Sequence, residues 1–101
     1  MRQTVMAGPQ APEDFGIANA IRDGDAAGAL REVAAALDTG AVPFVLLGQL
    51  RWVAEKLPPA RVRAGIDAVF RTDLALKSSG GDPRILLERL VVELCGDRRL
   101  R

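Results

Sequence analysis

The residues in this chain whose types could support chemistry are a lone thiol, a glycine pair ahead of a helix start, and a few acid pairs. The thiol is Cys95, the single cysteine among 101 residues that include no histidine. A catalytic cysteine needs a base or a cationic neighbour to hold the thiolate, and no histidine exists to do so. Cys95 therefore reads as a small buried hydrophobe on the apolar side of the last helix. The same counts exclude an intrachain disulfide and a histidine or multi-cysteine metal site. Gly80-Gly81 precedes a helix start, where backbone N–H groups can cradle a phosphate. The strand and the Gly-Lys-Ser/Thr ending of a phosphate loop are missing, so a helix stop is the expectation. Glu88 and Glu93 are five apart on a helix and do not face each other as an acid and base couple would. No catalytic, cofactor-binding or metal residue is expected, and no enzymatic role for this chain.

Composition narrows the class of protein that could carry these residues. A chain of 101 residues fits one domain, and 49% hydrophobic residues suffice for a core. Aromatics make up only 4%, and the apolar share is rich in Ala and Leu, which favours packed helices over a sheet. With 14 basic against 13 acidic side chains the net charge is +1, so no global field draws the chain to nucleic acid or anionic lipid. The basic end Arg98-Arg99-Leu100-Arg101 is read as a cation-rich helix terminus rather than a phosphate footprint. No signal core and no apolar run of membrane-spanning length is visible, so a cytoplasmic protein is expected.

The elements follow from punctuation and periodicity. Residues 1–12 contain Gly8, Pro9 and Pro12 without a sustained period and read as a leader or linker, which suggests a fragment. A helical domain is expected over 13–96, followed by a basic tail over 97–101. The first helix, Glu13 to Arg22, carries Phe15, Ile17, Ala18 and Ile21 on one stripe and ends at Gly24. Asp25 caps a second helix whose face is Ala26, Leu30, Val33, Ala34 and Leu37, stopped by Gly40. Pro43 opens a third with Leu46, Leu47, Leu50, Val53, Ala54 and Leu57 on its stripe. After Pro58-Pro59, the spacing of Val62, Ile66, Val69, Phe70 and Leu74 predicts the core face of a fourth helix. Asp67 with Arg71 and Asp73 with Lys77 are acid-before-base pairs at the favourable spacing. Gly80-Gly81 closes that helix, then Asp82 caps and Pro83 begins the fifth. The fold class is all-α, an antiparallel bundle of about five helices.

The fifth helix carries more apolar surface than one face needs. Leu86, Leu87, Leu90, Val91 and Leu94 form the stripe that buries it. Ile85 and Val92, seven apart, form a second stripe between the charged rows Arg84 with Glu88 and Arg89 with Glu93. Two readings stand: a central helix meeting neighbours on two sides, or a contact to another subunit. Trp52, beside Arg51 and Glu55, poses the same choice between a core-edge aromatic and an interface anchor.

The run Asp73-Leu74-Ala75-Leu76-Lys77-Ser78-Ser79-Gly80-Gly81-Asp82-Pro83-Arg84, continuing to Leu87-Glu88-Arg89-Leu90-Val91 and Leu94, resembles the last two helices of the delta subunit of the bacterial DNA polymerase III clamp loader. The resemblance is to that subunit's C-terminal domain and extends from about Phe15 to Gly96. It includes Ala20-Ile21-Arg22-Asp23-Gly24-Asp25-Ala26-Ala27-Gly28-Ala29-Leu30. It also includes Gly40-Ala41-Val42-Pro43 leading to Leu46-Leu47-Gly48-Gln49-Leu50-Arg51. The resemblance implies a helical collar domain, through which delta, delta prime and the ATPase subunits join into a ring that loads the sliding clamp. It implies assembly without nucleotide binding or clamp contact by this chain, and Asp73 and Lys77 carry over from the family motif. One departure is the link Lys56-Leu57-Pro58-Pro59, where many family members have a longer stretch.

The expected partners are the other clamp-loader subunits, with no cofactor, small-molecule ligand or membrane, and with direct DNA binding disfavoured by the charge balance. The alternative is a stand-alone helical adaptor that associates with other proteins or with itself.

Overall fold

The computed structural model describes residues 16–78 and 81–96. The linker expected over 1–12, the expected start at Glu13, the place of Phe15 and the basic tail over 97–101 lie outside the described residues. Within them the chain forms five helices, α1 (Gly16–Arg22), α2 (Ala26–Asp38), α3 (Pro43–Glu55), α4 (Pro59–Lys77) and α5 (Pro83–Cys95), and no strand. The all-helical class and the helix count read from the sequence are what the structure has.

Local chemistry sets the boundaries. The Asp25 carboxylate accepts the Gly28 N–H at 2.9 Å, and the Asp82 carboxylate accepts the Arg84 N–H at 2.8 Å, each satisfying a donor that a helix start leaves free. Pro43, Pro59 and Pro83 open α3, α4 and α5, where a missing N–H does no harm. Both α1 and α2 end in paired bonds that reach back across the last turn. Asp25 N–H donates to the Ala20 carbonyl and Gly24 N–H to Ile21, while Ala41 donates to Ala36 and Gly40 to Leu37. The turning residues Gly24 and Gly40 sit at φ 74° and 100°, a conformation that a side chain disfavours. α4 stops at Lys77, where the Ser78 N–H caps the Leu74 carbonyl, so it closes before the glycine pair expected to end it.

α5 is the centre of the fold. It lies between α2 and α4 and packs also on α1 and α3, so that every other helix rests against it. Arg84 at its start bonds Asp38 at the end of α2, and Arg61 in the first turn of α4 donates to the Leu94 carbonyl at its end, so both neighbours run antiparallel to it. Leu87, Leu90, Val91, Leu94 and Cys95 are buried along its inner face. They meet Ile17 and Ile21 of α1, Ala29 and Val33 of α2, and Leu46, Leu47, Leu50, Val53 and Ala54 of α3 in one core. The stripes expected of α3 and α5 are those observed, with Leu57 and Leu86 at the margins. On α2 the close contact falls on Gly28, Ala29 and Val33, while Ala26, Leu30, Ala34 and Leu37 are half-buried.

α4 corrects the sequence reading. Its buried residues are Gly65, Ala68, Val69 and Thr72, whereas Phe70 is 63% and Leu74 53% exposed. The reason is distance of approach: a Cβ on Gly65 would stand 2.7 Å from a Leu57 methyl and 3.3 Å from a Leu94 methyl. Squeezed between α3 and α5, α4 presents mostly small residues inward beside Val69, which is buried as expected, while Phe70 and Leu74 turn out. The buried Thr72 hydroxyl is satisfied by the Ala68 carbonyl at 2.8 Å.

Candidate protein-interaction surfaces

The second stripe of α5 stays uncovered. Ile85 is 55% and Val92 44% exposed, although their helix is the most surrounded one in the molecule. Successive residues of a helix are turned by about 100°, so positions seven apart return to nearly the same direction. That direction points away from the core lined by Leu87, Leu90 and Leu94. The charged rows beside the stripe pair differently from the spacing rule. Arg84 goes to Asp38 of α2 at 2.7 Å, and Glu93 receives Arg71 of α4 at 3.2 Å, where the sequence pairs them with Glu88 and Arg89. Arg71 is thereby drawn away from Asp67, its expected partner on the same helix. The cross-helix pairs link α2 and α4 to α5 at the exposed surface on either side of the stripe and leave its apolar centre bare.

A further apolar surface was not legible as such in the sequence. Phe44 and Phe70 flank a groove of about 410 Å³ between α3 and α4, with Gly48 and Ile66 among the residues lining it. Gly48 lies inside α3, exposed, and a Cβ there would meet nothing within 4 Å. A helix-interior glycine costs about 1 kcal/mol relative to alanine, and packing within the chain gives no reason for it. Asp73 and Lys77, carried over from the family motif, form an ion pair of 3.0 Å at the edge of this groove. Lys77 is exposed, so the pair contributes well under about 1 kcal/mol.

Trp52 stands at the edge of the core. It is half-buried against the core, and its ring carries the Lys56 ammonium 5.4 Å from its centroid. Its outer side lines a second groove, of about 350 Å³, where α1, the end of α3 and the start of α4 converge. Trp52, Ile85 and Val92 are therefore not brought together: the tryptophan groove and the α5 stripe share no lining residue.

Groups with reactive potential are held quiet. Cys95 is 2% exposed, and burial raises its thiol above the ordinary value of 9.0, against a smaller opposing pull from Arg61. A neutral, enclosed thiol is neither a nucleophile nor a ready ligand. Among the described residues no group of three or more His, Cys, Asp and Glu side chains is placed to hold a metal ion. No described helix is long and apolar enough to cross a membrane. What the arrangement offers is surface: two exposed apolar areas and one cationic, aromatic groove. No protein-family model, curated protein or solved structure matches the chain.

Proposed function

We propose that this chain is a non-catalytic assembly module, the collar domain of a clamp-loader delta subunit, which joins delta prime and the ATPase subunits in the complex that loads the sliding clamp during DNA replication. One observation carries the assembly role: Ile85 and Val92 remain exposed on the helix against which every other helix packs. An internal neighbour would have covered them if the fold supplied one. Exposed, aligned aliphatic residues on a rigid central helix are suited to burial against a partner. The identity of the partners rests on the resemblance of the α4–α5 hairpin and its flanking elements to the delta family. Asp82 and Pro83, which start α5 in the structure, belong to that same run.

The test mixes this chain with delta prime and the ATPase subunits and follows the complex by size-exclusion chromatography with light scattering. The native chain is expected to co-elute. The double variant Ile85→Glu, Val92→Glu is expected to bind at least about tenfold more weakly, because each change removes an aliphatic contact of roughly 1.5 kcal/mol or more. Its thermal midpoint should match the native one, since neither residue is part of the core. Equal assembly by the double variant would remove the stripe from the interface. No complex with any of these subunits would discard the clamp-loader reading, and self-association in its place would favour a stand-alone adaptor.

A further inference from the structure

The groove beside Trp52 joins an aromatic ring to cations, with no acid among its lining residues. Trp52, Leu57 and Pro58 give it an apolar floor, and Arg22, Lys56 and Arg61 converge on it from three elements. No carboxylate lines it. The ion pairs among the described residues use Arg51, Arg71, Lys77 and Arg84, all outside this groove or turned to other partners. In a chain of net charge +1, three cations without an acidic partner among the described residues make a local concentration of positive charge.

Helix dipoles account for part of it. Arg22 closes α1 and Lys56 follows α3, where cations offset the partial negative charge of the last carbonyls. Arg61 is different, because it sits in the first turn of α4, the end at which a cation is disfavoured. It is fixed there by donation to the Leu94 carbonyl, which uses one of the five N–H donors of a guanidinium. The other cations are also positioned: Arg22 donates to the Asn19 side chain at 2.6 Å, and Lys56 lies over the indole. Cations held in place around an aromatic floor lose less freedom on binding than mobile ones do.

We propose that this groove binds a short acidic peptide segment bearing one large apolar side chain. The apolar side chain lies on the Trp52 floor, and carboxylates to either side of it face Arg22 and Arg61. Arg22, Lys56 and Arg61 stand on separate parts of the fold, which suits single carboxylates spread along a peptide better than one compact phosphate dianion. The proposal is independent of assembly through α5, whose Ile85 and Val92 lie outside the groove.

Trp52 is the one tryptophan of the chain, which has no tyrosine, so its emission reports directly on the groove. The probe is the peptide acetyl-Glu-Asp-Leu-Phe-Asp-Glu-amide, titrated into the whole chain, with the glutamine and asparagine analogue and ADP as comparisons. A saturable change in Trp52 emission is expected with the acidic peptide, and none with the amide analogue. The affinity should fall at least about tenfold in Arg22→Glu, Lys56→Glu, and should fall steadily between about 0.05 and 0.5 M salt. Helix content by circular dichroism should be native; if the double variant loses it, Arg22→Gln is compared in its place. Absence of a saturable change up to millimolar peptide would overturn the proposal. So would equal binding of the amide analogue, or binding of ADP where the peptide does not bind.

Discussion

Cys95 shows how one buried atom couples the core to pH. Its thiol is enclosed at the end of α5, and desolvation favours the neutral form in the folded chain. A raised folded value means that the native state holds its proton where the unfolded state releases it. The contribution is therefore fully present below the unfolded value and is lost as pH rises through the folded one. Stability should be level through neutral pH and decline above about pH 9, the ordinary value, as followed by urea unfolding. In Cys95→Ala the midpoint drops at every pH because a cavity opens, by about 1 kcal/mol, but the alkaline slope should diminish. Alkylation by iodoacetamide should be slow in the native chain and fast in urea. Rapid native alkylation would show that the thiol is reachable and that burial does not govern it.

At the scale of elements, α4 marks what the sequence could and could not tell. The caps were plain, because Asp25, Pro43, Asp82 and Pro83 act on the backbone nearest to them. The stripes of α3 and α5 were plain too, since large aliphatic residues at helical spacing lie on the side that packs. The inward face of α4 was legible only at Val69, because close packing on two helices selects small residues, and Gly65, Ala68 and Thr72 carry little weight in a search for large apolar ones. Phe70 and Leu74, which dominate the pattern, mark the outside. The cross-helix pairs of Arg71 and Arg84 were equally beyond reach, as they depend on which helices become neighbours. Of the candidate surfaces, Ile85 and Val92 were legible because they have no place on the main stripe, whereas the Phe44–Phe70 groove exists only once α3 and α4 are packed. The consequence is measurable by thermal unfolding. Phe70→Ser with Leu74→Ser should move the midpoint by no more than a few degrees, within the range of about 0.5 kcal/mol per surface change. Ala68→Leu should destabilise by roughly 1–3 kcal/mol, because it forces α4 away from its neighbours. The reverse order would restore Phe70 and Leu74 to the core.

For the molecule as a whole, the architecture sets an order of stability among its helices. α5 touches every other helix and contributes five buried residues, so its amides should open only when the whole core does. The described part of α1, Gly16–Arg22, is held through Ile17 and Ile21. It packs on α2, α5 and α3, with Ala18 and Ala20 beside those two residues, and is the element expected to open first. Hydrogen exchange followed by mass spectrometry should therefore find peptides from α5 exchanging slowest, at the global unfolding rate, and peptides from α1 exchanging faster through local opening. The two proposed contacts act differently on this order. A partner seated on Ile85 and Val92 adds to a helix that is already the most protected, so the isolated chain should present that face preformed. An acidic peptide beside Trp52 touches Arg22 at the end of α1 and Arg61 at the start of α4, and so bridges the least and the better anchored parts. Its binding should slow exchange in α1 more than anywhere else. Slowing confined to α5, or uniform exchange across all five helices, would contradict this hierarchy and place the loosest point of the fold elsewhere.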